Sequence, residues 1–191
     1  MAAAVDESDE SLMQRYAQGD VPAFECLYRR NAQRVWRYLL RNVRNRATAD
    51  ELLQEVWFAV ARDAPRYTPS ARFTTWLFTI AHHRLIDSSR ATRKQDSLDL
   101  IGYENDTVVE YLTTDPRVGP LGAALAKDQA FALLQAVEEL PPEQRQAFML
   151  HVEGELSVEE VARITASSFE TTKSRLRYAR AKLRERLQEH A

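Results

Sequence analysis

The chain has 191 residues, 45% of them hydrophobic, with a net charge of −2, a length that suits one ordinary domain or two small ones. Glycine is scarce and Ala, Leu, Arg and Glu dominate, which is a helical composition. No apolar run approaches the roughly 18 residues of a membrane span. The acidic start (Asp6, Glu7, Asp9, Glu10) is unlike a secretory leader, and Cys26 is the only cysteine, so an internal disulfide or a cysteine zinc cluster is excluded.

Taken in order, the chain reads as helices in two blocks. Between Ser11 and Tyr28 the apolar residues Leu12, Tyr16, Phe24 and Leu27 keep helical spacing, broken by Gly19-Asp20-Val21-Pro22, a turn with proline opening the next helix. That helix extends to about Arg44 through Val35, Tyr38 and Leu39. A third runs from Ala49 to Arg62 with Leu52, Leu53, Val56, Trp57 and Val60 on one face. After the two-proline loop Asp63–Ser70, a fourth begins near Phe73 and carries Trp76, Leu77, Ile80, Ala81 and Ile86 into a basic stretch, Arg84, Arg90, Arg93 and Lys94. The tryptophans fit core positions, and Cys26 fits a small buried one. From Gln95 to Lys127 the periodicity fades, acids outnumber bases, and Gly and Pro punctuate an expected flexible linker.

The second block, from Asp128, opens with a helix over Gln129–Glu139 that Leu140-Pro141-Pro142 ends. Pro142 then starts a helix stopped by Gly154. Ser157-Val158-Glu159-Glu160 has capping-box spacing, and Ser167-Ser168-Phe169-Glu170 offers a second box. Two capped helices across a tight turn make a helix-turn-helix pattern. In the last helix Thr172, Leu176, Ala179, Leu183 and Leu187 face inward at three- and four-residue steps. Lys173, Arg177, Arg180 and Arg184 form one exposed stripe, and Arg175, Lys182 and Arg186 another. Solvated helices usually mix signs to gain pairing, whereas Thr171–Arg186 holds seven cations and only Glu185. Such a helix suits the DNA major groove, its first turn meeting bases and its later arginines phosphates.

The combination of motifs resembles the extracytoplasmic-function (ECF) sigma factors of bacterial RNA polymerase, from about Leu12 to Leu187. The residues that carry the resemblance in the first block are Gly19-Asp20-Val21-Pro22-Ala23-Phe24, then Ala49–Trp57, then Phe73–Ala81 with Ile86-Asp87 and the arginines after it. In the second block they are Leu140-Pro141-Pro142 with Arg145, Leu156-Ser157 with Glu160-Val161-Ala162, and Thr172–Leu176 with Ala179, Arg180 and Leu183.

The resemblance implies an all-α protein: a first domain over 11–94 (sigma region 2), an acidic linker over 95–127, and a helix-turn-helix domain over 128–191 (sigma region 4). It implies that Glu51, Gln54 and Glu55 bind core RNA polymerase. It implies that Arg72, Phe73, Arg84, Asp87, Arg90 and Arg93 take the downstream (−10) promoter element as a single strand, which needs cations and a base pocket or platform. It implies that Ser168, Glu170, Thr171, Lys173, Ser174, Arg175, Arg177, Arg180 and Arg184 read the upstream (−35) element as duplex. Core polymerase and promoter DNA are the partners, and an anti-sigma factor is a further candidate because such proteins often hold family members. No catalytic residue, cofactor, metal or membrane insertion is expected, and the place of action is the cytoplasm.

Two departures stand out. Glu51 replaces the commoner Asp and keeps its charge. Phe169-Glu170-Thr171-Thr172 stands where the family pattern has a small residue and Gly-Thr-Val. Glu170 is suited either to capping the helix or to accepting a hydrogen bond from cytosine N4. An autonomous helix-turn-helix regulator would explain the last helix but not the Glu51–Glu55 block. A helical adaptor would leave the basic stripe unexplained. The pair His82-His83 has no carboxylate or cysteine set at ligand spacing around it.

Overall fold

The computed structural model describes residues 7–95 and 132–189, and every regular element in them is helical. Beyond Gln95, the expected linker lies outside the described residues. The elements are α1 (Asp9–Ala17), α2 (Val21–Val43), α3 (Arg46–Asp63), a 3₁₀ turn (Ala64–Arg66), α4 (Phe73–Gln95), α5 (132–138), α6 (Pro142–Glu153), α7 (Val158–Ile164) and α8 (Phe169–Glu189).

Local chemistry sets the boundaries. Ser8 caps α1 by accepting from the Ser11 N–H, and Pro22 sits in the first turn of α2. The third helix starts three residues before the expected Ala49, because the Asn45 side chain accepts from the Thr48 N–H. Asparagine is among the best residues for that role. The start of α4 has a tertiary cap: Glu10 of α1 accepts the Phe73 N–H at 2.6 Å. Burial works against the Glu10 carboxylate, but that bond and its neighbours still hold its pKa below the ordinary value.

Gly154 ends α6 for a reason the sequence does not display. Its φ is −81°, and the left-handed residue is Glu155, with φ 51°. A Cβ on Gly154 would lie 2.6 Å from the Leu150 carbonyl oxygen and 2.8 Å from the Leu156 side chain. The position needs glycine for space.

In the first domain Leu27, Val35, Tyr38, Leu39, Val56, Val60, Phe73, Leu77 and Phe78 are fully buried. In the second, Ala147, Leu150, Val161 and Ala179 are fully buried and Leu140, Leu156 and Leu176 nearly so. The tryptophans divide: Trp57 is buried, whereas Trp36 and Trp76 are half-buried against the core. Cys26 is likewise half-buried.

The two domains touch, α6 packing on α2 and α7 on α4. Much of the contact is ionic. Arg37 makes two hydrogen bonds to the Glu153 carboxylate, at 2.8 and 2.7 Å. Arg34 donates to the Glu153 carbonyl at 2.7 Å. Arg41, only 6% exposed, pairs with Glu138 at 2.9 Å. Arg44 and Arg145 both donate to the Glu138 carbonyl. Three arginines thus meet the carboxylate and free carbonyl at the negative end of α5, where cations are favoured.

His82 is 6% exposed, with Nδ1 2.8 Å from the Tyr38 hydroxyl. Burial, helped by the neighbouring His83, lowers its pKa to about 4, so it is neutral in the fold at neutral pH.

Two predictions follow from these contacts. Gly154→Ala should cost about 1–3 kcal/mol by overpacking, read as a lower urea midpoint. His82 takes a proton more readily unfolded than folded, so stability is fully present above pH about 6.5 and falls as the pH drops toward 4. The loss should reach about 3 kcal/mol. His82→Gln should flatten the stability curve across that window, and an unchanged slope would rule out His82 as its source.

Candidate nucleic-acid interface

The helix-turn-helix is made by α7, a turn and α8. Ser157 and Glu160 form the complete capping box at the start of α7. The turn passes through Ala166 at φ 49°. A chain of hydroxyls closes it: Thr165 Oγ1 to Ser167 Oγ at 2.9 Å, then Ser167 Oγ to the fully buried Thr172 Oγ1 at 2.7 Å. The first turn of α8 is thereby fixed relative to α7. Ser168 caps α8, its Oγ accepting the Thr171 N–H at 3.1 Å. The second capping box, anticipated with Ser167 and Glu170, is not the arrangement formed, and Glu170 is exposed.

Of the inward row expected in α8, Thr172, Leu176, Ala179 and Leu183 are buried, and the side chain of Leu187 lies outside those described. The two basic stripes are not equivalent. Lys182 donates to the Glu139 carbonyl at 3.0 Å and Arg186 pairs with the Glu139 carboxylate at 2.7 Å. Arg175 is half-buried in the cleft between the domains. The other stripe is exposed and has no carboxylate partner among the described residues. Lys173 lies 5.9 Å over the Phe169 ring, and Arg177 lies 4.9 Å over Tyr178. Arg180 donates to His151 Nε2 at 2.7 Å, while His151 Nδ1 lies 2.7 Å from the Leu156 carbonyl. Arg184 is exposed, as are Ser168 and Thr171, and Ser174 is half-buried.

On the first domain, Arg72 is exposed and donates to the Glu155 carbonyl at 3.1 Å. Phe73 is fully buried, in an aromatic group with Tyr67 and Trp76 whose ring centroids lie 5.1–6.2 Å apart. Its ring therefore has no surface to offer a base in this arrangement, and the half-buried Trp76 lies nearer solvent. Arg84 is half-buried. Asp87 and Arg90 are exposed and 3.8 Å apart. Arg93 lies within α4, past the last side chain described there. Asp87, Arg90 and Arg175 line one interdomain cleft of about 980 Å³, with His83, Asn45 and Gln146. The structure thus brings together residues that the sequence assigned to two separate promoter elements. Among the described residues no group of His, Cys, Asp and Glu could hold a metal ion. No described helix is long and apolar enough to cross a membrane.

Glu51, Gln54 and Glu55 are exposed on one face of α3. The same face carries Phe58, the most exposed large hydrophobic residue described, at 77%. Phe58 follows Glu51, Gln54 and Glu55 by seven, four and three residues, the spacing of one helix face. The apolar periodicity of α3 does not include this residue, and the exposed Tyr178 of α8 likewise lies outside the inward row. The available signal was an aromatic residue at polar-face spacing.

Comparison with known proteins identifies both domains. Residues 27–95 match the Sigma-70 region 2 family and residues 130–183 match Sigma-70, region 4. The RNA polymerase sigma factor CarQ of Myxococcus xanthus is 36% identical over 178 residues, 93% of this chain and 96% of CarQ. The ECF RNA polymerase sigma factor SigK of Mycobacterium bovis is 28% identical, covering 92% of this chain and 91% of SigK. In fold, the chain is similar to CnrH, solved in complex with the cytosolic domain of CnrY, with a TM-score of 0.64 at 20% identity, covering 97% of this chain and 100% of CnrH. The two domains, the order of their motifs and a relative matched along nearly its whole length lead to one assignment: the chain belongs to the ECF sigma factors of the sigma-70 superfamily.

Proposed function

We propose that this chain acts by binding alone, in the cytoplasm, as the promoter-reading subunit of bacterial RNA polymerase. The carrying observation is the separation of two exposed faces of opposite chemistry on two domains. The α3 face, Glu51, Gln54, Glu55 and Phe58, is acidic with one apolar anchor and suits a basic, partly apolar helix of the core enzyme. The α8 face, Lys173, Arg177, Arg180 and Arg184, suits duplex DNA, because neutralising phosphates releases counterions. Glu170, which makes no cap, is left to read a base, and Ser168, Thr171 and Ser174 are placed to contact the same groove.

Arg72, Arg84, Arg90 and Arg93 with Asp87 would take the opened strand, and Phe73 would position Arg72 from the core. Arg175, half-buried in the cleft, would reach DNA only after the domains separate. We include an anti-sigma factor among the partners: the similarly folded sigma factor RpoE of Bartonella quintana was solved with the anti-sigma factor NepR, and the cleft of this chain gathers residues from both proposed promoter surfaces.

Purified protein plus core polymerase should start transcription at a defined site, and neither should do so alone. Phe58→Ala should raise the concentration of protein needed for half-maximal initiation by about tenfold, as loss of an aromatic interface anchor does. Its melting temperature should hold, since the ring is solvated. No initiation from any promoter of its own genome, with folded protein, would refute the reading.

The two α8 stripes should separate experimentally. Arg184→Ala should weaken promoter binding at all sequences alike and make the log–log salt dependence shallower by about one unit. Arg186→Ala should leave that salt slope unchanged. Equal effects from both would show that the stripes are not distinguished in the complex.

A further inference from the structure

We propose that Phe169 is a specificity residue of α8 that reads the 5-methyl group of a thymine in the upstream promoter element. The inference rests on the proposed reading of α8 as the duplex reader and concerns one contact within it.

Phe169 is the first residue of α8 and is 41% exposed. It is absent from the hydrophobics packed against the core. By position it heads the exposed stripe: 169, 173, 177, 180 and 184 follow in steps of four, four, three and four, the spacing of one helix face. The Lys173 ammonium, 5.9 Å over its ring, confirms that the ring lies on that side. The hydroxyl chain from Thr165 through Ser167 to buried Thr172 holds this turn in place. A phenyl ring 41% exposed beside the Lys173 ammonium on a basic surface is poorly matched to water and to phosphate alike.

The major groove offers one apolar group, the thymine 5-methyl, and phenylalanine is among the side chains that contact it. In a helix-turn-helix the N-terminal residues of the second helix are those that reach base edges. Lys173 can leave the ring for a phosphate as the ring meets the methyl. The contact would then favour A·T over G·C at one position and fix which strand carries the thymine.

The test uses the holoenzyme on a promoter mapped from the transcripts it produces, with each thymine of the upstream element replaced singly by deoxyuridine. That exchange removes the methyl and leaves pairing intact. Wild-type holoenzyme should lose about fourfold in affinity at one position, the worth of one buried methyl group. Phe169→Ala should already carry that loss on the thymine promoter and show no further loss with deoxyuridine there. Phe169→Leu should keep part of the sensitivity at the same position, and it stands in if the alanine variant does not fold.

The proposal is overturned if no deoxyuridine costs affinity while the holoenzyme still protects the element. It is equally overturned if the cost is the same with and without the phenyl ring, or if the protected element contains no A·T pair. Failure of the underlying reading looks different: wild-type holoenzyme initiates without protecting an upstream duplex element at all.

Discussion

The two-sidedness of α2 is the constraint on which the rest of the structure depends. Over its 23 residues one face presents Leu27, Val35, Tyr38 and Leu39 to the first domain's core, all fully buried. The other presents Arg34, Arg37 and Arg41, spaced three and four residues apart, to Glu153 and Glu138 of the second domain. The apolar face makes α1–α4 a unit. The arginine face decides where the helix-turn-helix sits, because α5 and α6 end against it. Arg41 shows the balance of terms. Burial disfavours its charge and lowers its pKa, and the Glu138 carboxylate offsets only part of that. A buried pair of this kind is weak evidence of stability; its geometry holds the end of α5 against α2.

The same sorting of charge by partner explains α8. Its seven cations are equal in the sequence, but the fold gives some of them internal work. Lys182 and Arg186 hold Glu139 near the end of α5. Lys173, Arg177 and Arg184 are exposed and have no carboxylate partner among the described residues, and the first two lie over aromatic rings. A surface for a polyanion needs cations whose charge is not already spent within the fold, so the usable stripe is the one that internal acids do not reach. This is a stronger argument for DNA than the overall positive charge of the helix.

Much of the fold was legible in the sequence because its signals are local. The Gly19–Pro22 turn, the Pro142 start and the Ser157–Glu160 box all work within four residues, and each appears where its chemistry predicts. What escaped notice depends on distant partners. Glu10 capping α4, Glu160 accepting from Thr75 Oγ1 at 2.5 Å, and the arginines of α2 meeting Glu138 and Glu153 all join residues more than sixty positions apart. Periodicity identifies a face but not what covers it. Hence Phe73, placed by motif at a DNA site, proved to be core, and Gly154 proved to be needed for space and not for a left-handed turn. At the site itself, residue types were readable, while the division of α8 into bound and available cations was not.

The chemistry of the interdomain contact also bears on how the chain engages DNA. Asp87, Arg90 and Arg175 share one cleft, so the faces of α4 and α8 that carry them meet across the interdomain contact. The bonds across it are ion pairs and single hydrogen bonds. Several reach solvent, as with Arg34–Glu155, whose side chains are 23% and 69% exposed. Exposed pairs are worth at most about 1 kcal/mol each and weaken with salt, and polar interfaces between domains favour relative motion. A partner separates the halves only to the extent that it binds the separated state more tightly than the joined one.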